Sequence, residues 1–110
     1  MKPTLSLTAF ILVLSHVPSF TAAQSFDSMQ KAQELGSLLA SEEFCQLHYN
    51  QDAIEVWIDG NTDGSDMGFP SKLRMMTDGA SFDLQSMSES SKTAHCRSIE
   101  RTARHFGFVE

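Results

Sequence analysis

Cys45 and Cys96 are the residues of this chain with the most definite chemistry. An even pair in a small domain from an oxidising compartment is read as one disulfide. The loop it closes holds roughly 52 residues, and chain-entropy reasoning gives such a link about 4 kcal/mol, less any native strain. That is comparable to the net stability of a small domain. Histidines flank both cysteines, so Cys45-x-x-His48 and His95-Cys96 supply four zinc-ligand types. Zinc requires those four side chains to converge as a tetrahedron with both sulfurs as thiolates. Adjacent helical residues point about 100° apart, so His95 and Cys96 are badly placed to chelate together. The disulfide is the simpler use of both cysteines.

A second pattern offers oxygen ligands. Asp59-x-Asn61-x-Asp63-Gly64 matches the first half of an EF-hand loop, with ligands at alternate positions and a glycine at the sharp turn. The second half departs from it: Pro70 stands where a bidentate Glu closes the shell, and Asp66 stands where an apolar residue belongs. The same residues suit a helix–helix connection, because Asp, Asn and Gly tolerate turn conformations. A calcium-binding module is kept as an alternative, and no metal ligand is assigned.

Other side chains point to surfaces more than to reactions. Arg97, Arg101 and Arg104 form a basic stripe at helical spacing, which is a solvated helix face or a dock for an acidic partner or phosphate group. Met75, Met76 and Phe82 are core residues or an adaptable binding surface. Ser, His and Asp are plentiful, yet none sits in a nucleophile elbow, a phosphate loop or a metalloprotease helix. The carboxylate pairs Glu42-Glu43 and Asp52/Glu55 are expected to be exposed. The expectation is therefore a non-enzymatic protein with no catalytic residue and no cofactor.

The elements that must position these residues follow an export signal. Lys2 is a short basic start, Leu5 to Val17 an apolar run, and Thr21-Ala22-Ala23 the small residues that a signal peptidase needs. The apolar run is too short to span a bilayer of roughly 30 Å. Residues 1–23 are thus expected to be a cleavable signal peptide, and 24–110 a single domain. Removing 1–23 from the 110 residues leaves 87, a size that buries only about 60–65% of its unfolded surface and gains from a covalent staple. All fourteen carboxylates stay while Lys2 leaves, so the formal charge moves from −6 to −7. Acidity of that order opposes non-specific binding to nucleic acid or anionic lipid. A soluble periplasmic protein is expected, with no nucleic-acid ligand and no membrane insertion.

Four helical segments account for the domain. The first runs from roughly Asp27 to Glu43, with Met29, Ala32, Leu35, Gly36 and Leu39 on one face. Asn50 is the N-cap of the second, about Gln51 to Ile58, with Tyr49 and Ile54 as a hydrophobic staple and Trp57 and Ile58 inward. The third starts near Asp66–Pro70 and turns Phe69, Leu73, Met76, Ala80, Leu84 and Met87 to the core, with a potential break at Gly79. Ser88 caps the last, which ends near His105 with Gly107 as its stop and Cys96, Ile99, Ala103 and Phe106 inside. The fold class is all-α: a small bundle of about four helices with one disulfide.

Several segments resemble a group of short exported two-cysteine helical proteins of alphaproteobacteria. They are Ala40-Ser41-Glu42-Glu43-Phe44-Cys45 through Tyr49, Asp52-Ala53-Ile54, Asp66-Met67-Gly68-Phe69, Leu73, Met75-Met76-Thr77, Met87-Ser88, Ser91-Lys92-Thr93-Ala94-His95-Cys96 and Phe106-Gly107-Phe108-Val109. Together they cover most of residues 24–110. The resemblance implies export, a helical fold and paired cysteines, and its motifs carry no assigned chemistry. Members often bear the label "signal recognition particle"; this chain has neither the phosphate-binding loop nor the Met-rich RNA-binding domain that such a role requires. In architecture alone it is also similar to the acid-stress chaperones of the enteric periplasm and to small periplasmic immunity proteins. The function expected is binding of a protein partner in the cell envelope, in a stress setting, with an acid-responsive periplasmic chaperone as the alternative.

Overall fold

The computed structural model describes Pro3 and residues 20–110, with side chains from Phe26 onward. Its elements are α1 Phe20–Phe44, α2 Gln51–Asn61, α3 Phe69–Leu84 and α4 Glu89–His105, with no strand among the described residues. The apolar run of the expected export signal lies outside the described residues. Helix α1 begins earlier than the expected Asp27, because Ala22, Ala23 and Gln24 are good helix formers and no Gly or Pro interrupts them. The expected cleavage point after Ala23 therefore falls in its first turn.

Local chemistry fixes the other boundaries. Asn50 Oδ1 accepts from the Ala53 amide at 3.2 Å, and Ser88 Oγ accepts from the Ser91 amide at 3.2 Å, satisfying first-turn donors of α2 and α4. Helix α2 runs on to Asn61, past the expected Ile58. Asn61 Nδ2 donates to the Trp57 carbonyl at 2.7 Å and Thr62 Oγ1 to that of Ile58 at 2.7 Å, which closes the last turn. Helix α3 starts with Pro70 in its first turn, where a missing N–H does no harm. It continues unbroken through Gly79, whose Cα faces open space. The propensity loss of about 1 kcal/mol there is outweighed by packing of the residues on either side.

Helix α1 is the central element. Ala32, Leu35 and Leu38 are buried together with Tyr49, Ile54, Trp57, Phe69, Ile99, Ala103 and Phe108. Helix α3 lies along one side of α1. A Cβ added to Gly36 would sit 3.0 Å from the Thr77 backbone nitrogen, so the two helices approach more closely there than any larger residue allows. Ser28 meets Asp66 and Lys72, and Gly36 meets Met76 and Thr77, so α1 and α3 run in the same sense. On its other side, Leu38 and Ser41 are covered by Tyr49 and α4. Burial therefore wraps more than half of the α1 circumference, and Leu38 and Ser41 lie inside although the expected face omitted both.

Two helix ends share one hydrogen-bond pattern. After α1, the Leu47 amide donates to the Glu42 carbonyl at 2.8 Å and the Gln46 amide to Glu43 at 3.0 Å. After α4, the Phe108 amide donates to Ala103 at 2.8 Å and the Gly107 amide to Arg104 at 3.0 Å. Both are Schellman motifs, which require a left-handed residue: Gln46 at φ 57° and Gly107 at φ 77°. The two ends meet where the Asn50 amide donates to the Phe108 carbonyl at 2.8 Å.

Candidate functional site

Cys45 and Cys96 form the expected disulfide, with Cα atoms 5.4 Å apart and a sequence separation of 51. Paired sulfurs take the Cys45/His48/His95/Cys96 set out of zinc chemistry, because zinc binds thiolates. The link is the form that cysteines take in an oxidising environment. His48 is exposed, whereas His95 turns inward beside the disulfide. Its Nε2 lies 2.8 Å from Ser41 Oγ, and Ser41 Oγ donates to the Ser37 carbonyl at 2.7 Å. A hydroxyl has one proton. Ser41 uses it on Ser37, so His95 Nε2–H must be the donor to Ser41. That is the reverse of the proton direction a serine nucleophile needs, and Ser41 is fully buried. The pair ties α4 to α1. Phe44 packs edge-on against His95 at 6.3 Å, and Lys92 Nζ sits 4.6 Å over its ring.

The turn after α1 adds a second buried polar set. Tyr49 OH donates to the Leu38 carbonyl at 2.8 Å, and its backbone amide donates to Glu42 Oε2. Glu42 is thus held in place, while Glu43, Asp52 and Glu55 are exposed as expected. Burial, reinforced by the nearby Glu42 charge, pushes the Tyr49 phenol up to about 12. Leu47, His48, Gln51 and the two glutamates line an open groove of about 520 Å³ beside this turn.

The Asp59–Gly64 pattern does not form a calcium loop. Asp59 and Asn61 lie in the last turn of α2, and the Asn61 side chain is turned back onto Trp57. Asp63 Oδ1 accepts from the Ser65 amide at 2.9 Å and from Ser65 Oγ at 2.8 Å; these bonds, the amide first, hold its carboxyl below the usual range. Among the described residues no three His, Cys, Asp or Glu side chains gather as a metal site.

Asp66 has a different role. Ser28 Oγ donates to Asp66 Oδ2, Lys72 Nζ donates to Ser28 Oγ at 3.1 Å, and the Gly68 amide donates to Asp66 Oδ1 at 3.1 Å. The Ser28 bond, then the Lys72 charge and the loop amides, hold Asp66 below the ordinary carboxylate range against the opposing effect of burial. This cluster clamps α1 to the start of α3. Sequence reasoning missed it because Ser28 is 38 residues from Asp66 and 44 from Lys72. The available signal was a serine on the inner face of α1, one turn before Ala32.

The outer surfaces divide the remaining candidates. Met76 packs on the core, but Met75 and Phe82 are 54% and 75% exposed. For those two the core expectation fails, because they stand two turns apart on the α3 face turned from α1. Arg97, Arg101 and Arg104 are all exposed on α4, and Arg104 Nη2 pairs with Glu100 at 2.8 Å. Among the described residues no helix is long and apolar enough to cross a membrane. No protein-family model, curated protein or solved structure matches this chain.

Proposed function

We propose that this chain is an exported, soluble periplasmic protein that acts without catalysis by binding another protein of the cell envelope, and that α3 presents the binding face. The observation that carries the reading is the exposed Met75–Phe82 pair, a methionine and an aromatic at i and i+7. Such residues give adaptable apolar contact and are enriched where proteins meet. The polar groups able to do chemistry, Ser41, His95, Ser28 and Lys72, are meanwhile engaged with one another or with backbone. The export signal at residues 1–23, the paired cysteines and the alphaproteobacterial resemblance support the address. The test is a photo-reactive amino acid at position 82, irradiated in cells. A discrete adduct that a probe at exposed Gln33 does not give is the expected result; identical patterns from both positions would remove α3 as the binding face. Fractionation should recover the protein from the periplasm beginning at Gln24.

One feature favours an acid-responsive chaperone as the second reading. The Ser28–Asp66–Lys72 clamp needs an ionised carboxylate, and a group with a lowered value loses its contribution as pH falls through that value. Loosening α1 from α3 in acid would bare Phe69 and Met76. The first reading expects no suppression of aggregation in periplasmic extracts at acid pH. Suppression in acid but not at neutral pH, with dye binding to apolar surface, would promote the chaperone.

A further inference from the structure

The arginine stripe of α4 has a counterpart on α2. Arg97, Arg101 and Arg104 are exposed; Arg104 is shared with Glu100, and among the described residues Arg97 and Arg101 make no ion pair. On α2, Asp52, Glu55 and Asp59 are also exposed and unpaired among the described residues. No Lys or Arg occurs anywhere from Cys45 to Ser71. In one orientation the spacings agree. The carboxylates advance by three residues and then four, and the arginines, taken backwards from Arg104, do the same. At a rise of 1.5 Å per residue each stripe is about 10.5 Å long. Antiparallel helices then oppose Asp52 to Arg104, Glu55 to Arg101 and Asp59 to Arg97. The same orientation sets the positive N-terminal end of α2 beside the negative C-terminal end of α4.

Within one molecule the stripes do not meet. Helix α2 meets the C-terminal end of α4 through Trp57 and the C-cap residue Phe106, whose rings are 5.9 Å apart, and no ion pair joins the two stripes among the described residues. Val56, 72% exposed, borders the carboxylates, and Ala94 and Ser98 border the arginines with small side chains that leave room for it. We propose that the chain self-associates, laying the α4 arginine stripe of one copy antiparallel on the α2 carboxylate stripe of a second copy. The surface differs from the α3 face, and the inference does not depend on that face binding a partner. Exposed ion pairs are individually weak and screened by salt, so the association is transient and belongs to high concentration and low ionic strength.

Sedimentation equilibrium of the disulfide-bonded protein tests it. The average mass should exceed the monomer near 10 mM salt and return to it near 1 M, where the screening length falls from about 30 Å to about 3 Å. Glu55→Arg and Arg101→Glu should each weaken association several-fold, without moving the melting temperature. Mixed in equal amounts the two variants should recover wild-type association, because each reversed charge finds its complement on the other protein. A monomer at every salt concentration would overturn the proposal. So would reversals that leave association unchanged, or a mixture that fails to recover it.

Discussion

The two ends of the central helix are held by opposite means. Near Ser41, α1 is tied by a disulfide, a Ser–His hydrogen bond and a buried tyrosine. Near Ser28 it is tied by a carboxylate, a hydroxyl and an ammonium. The first set includes a covalent bond that neither acid nor salt removes. The second depends on an ionised Asp66. One helix therefore carries a permanent attachment and a conditional one, with the tight Gly36–Thr77 contact between them.

The largest effect should come from the permanent end. Replacing Cys45 and Cys96 together by Ser should lower unfolding free energy by about 2–5 kcal/mol, measured by urea titration. A loss smaller than that of Ser28→Ala would invert the ranking of the two ends. Ser28→Ala should cost about 1–2 kcal/mol, since it takes a hydrogen bond from a charged acceptor.

Acid should separate the ends further. Asp66 is held below its ordinary value, so its contribution is present above the ordinary carboxylate range and is lost progressively as pH falls from that range through the lowered value. Asp66→Asn should flatten this part of the stability profile; an unchanged slope would mean that the clamp contributes nothing. At the other extreme stands Tyr49, the one tyrosine in the chain, with its phenol pushed from 10.0 up to about 12. A raised acid contributes stability below its ordinary value and loses it as pH climbs toward the folded value. Ultraviolet titration of the folded protein should place the phenol near 12, and a midpoint at 10.0 would show it unburied.

The smallest effect sharpens the comparison at the turns. Gln46 and Gly107 occupy equivalent left-handed positions. Gln46→Gly should raise stability by about 1 kcal/mol and Gly107→Ala should lower it by a similar amount. Thermal melts with shifts of the same sign would contradict the equivalence.

Features written in adjacent residues were legible in the sequence. Asn50 and Ser88 cap because a side chain reaches an amide three residues on, and Gly107 stops α4 because its backbone tolerates positive φ. The four inner faces followed from spacing, and the disulfide from composition. What escaped depends on neighbours distant in the chain. A helix covered on two sides has no single apolar stripe, so spacing alone does not mark Leu38 and Ser41 as core. Phe108 lies beyond the last helix, where no periodicity marks it, and is fully buried. Met75 and Phe82 are exposed, and periodicity cannot say which of two faces is covered. In the Asp59–Asp63 pattern, spacing leaves open both a loop and a helix end, and the bond from Asn61 back to Trp57 keeps the first positions helical.

The burial of Phe108 also has a consequence in time. Its ring packs 5.6 Å from that of Tyr49 and 5.8 Å from that of Phe106, and its carbonyl takes the Asn50 amide. A chain synthesised N-terminus first presents Tyr49 and Asn50 long before Phe108. Until then the start of α2 lacks both a ring to pack on and an acceptor for its amide. Contacts this far apart in sequence form late, because loop closure must precede any gain from them. The contact that closes the domain is thus among the last able to form.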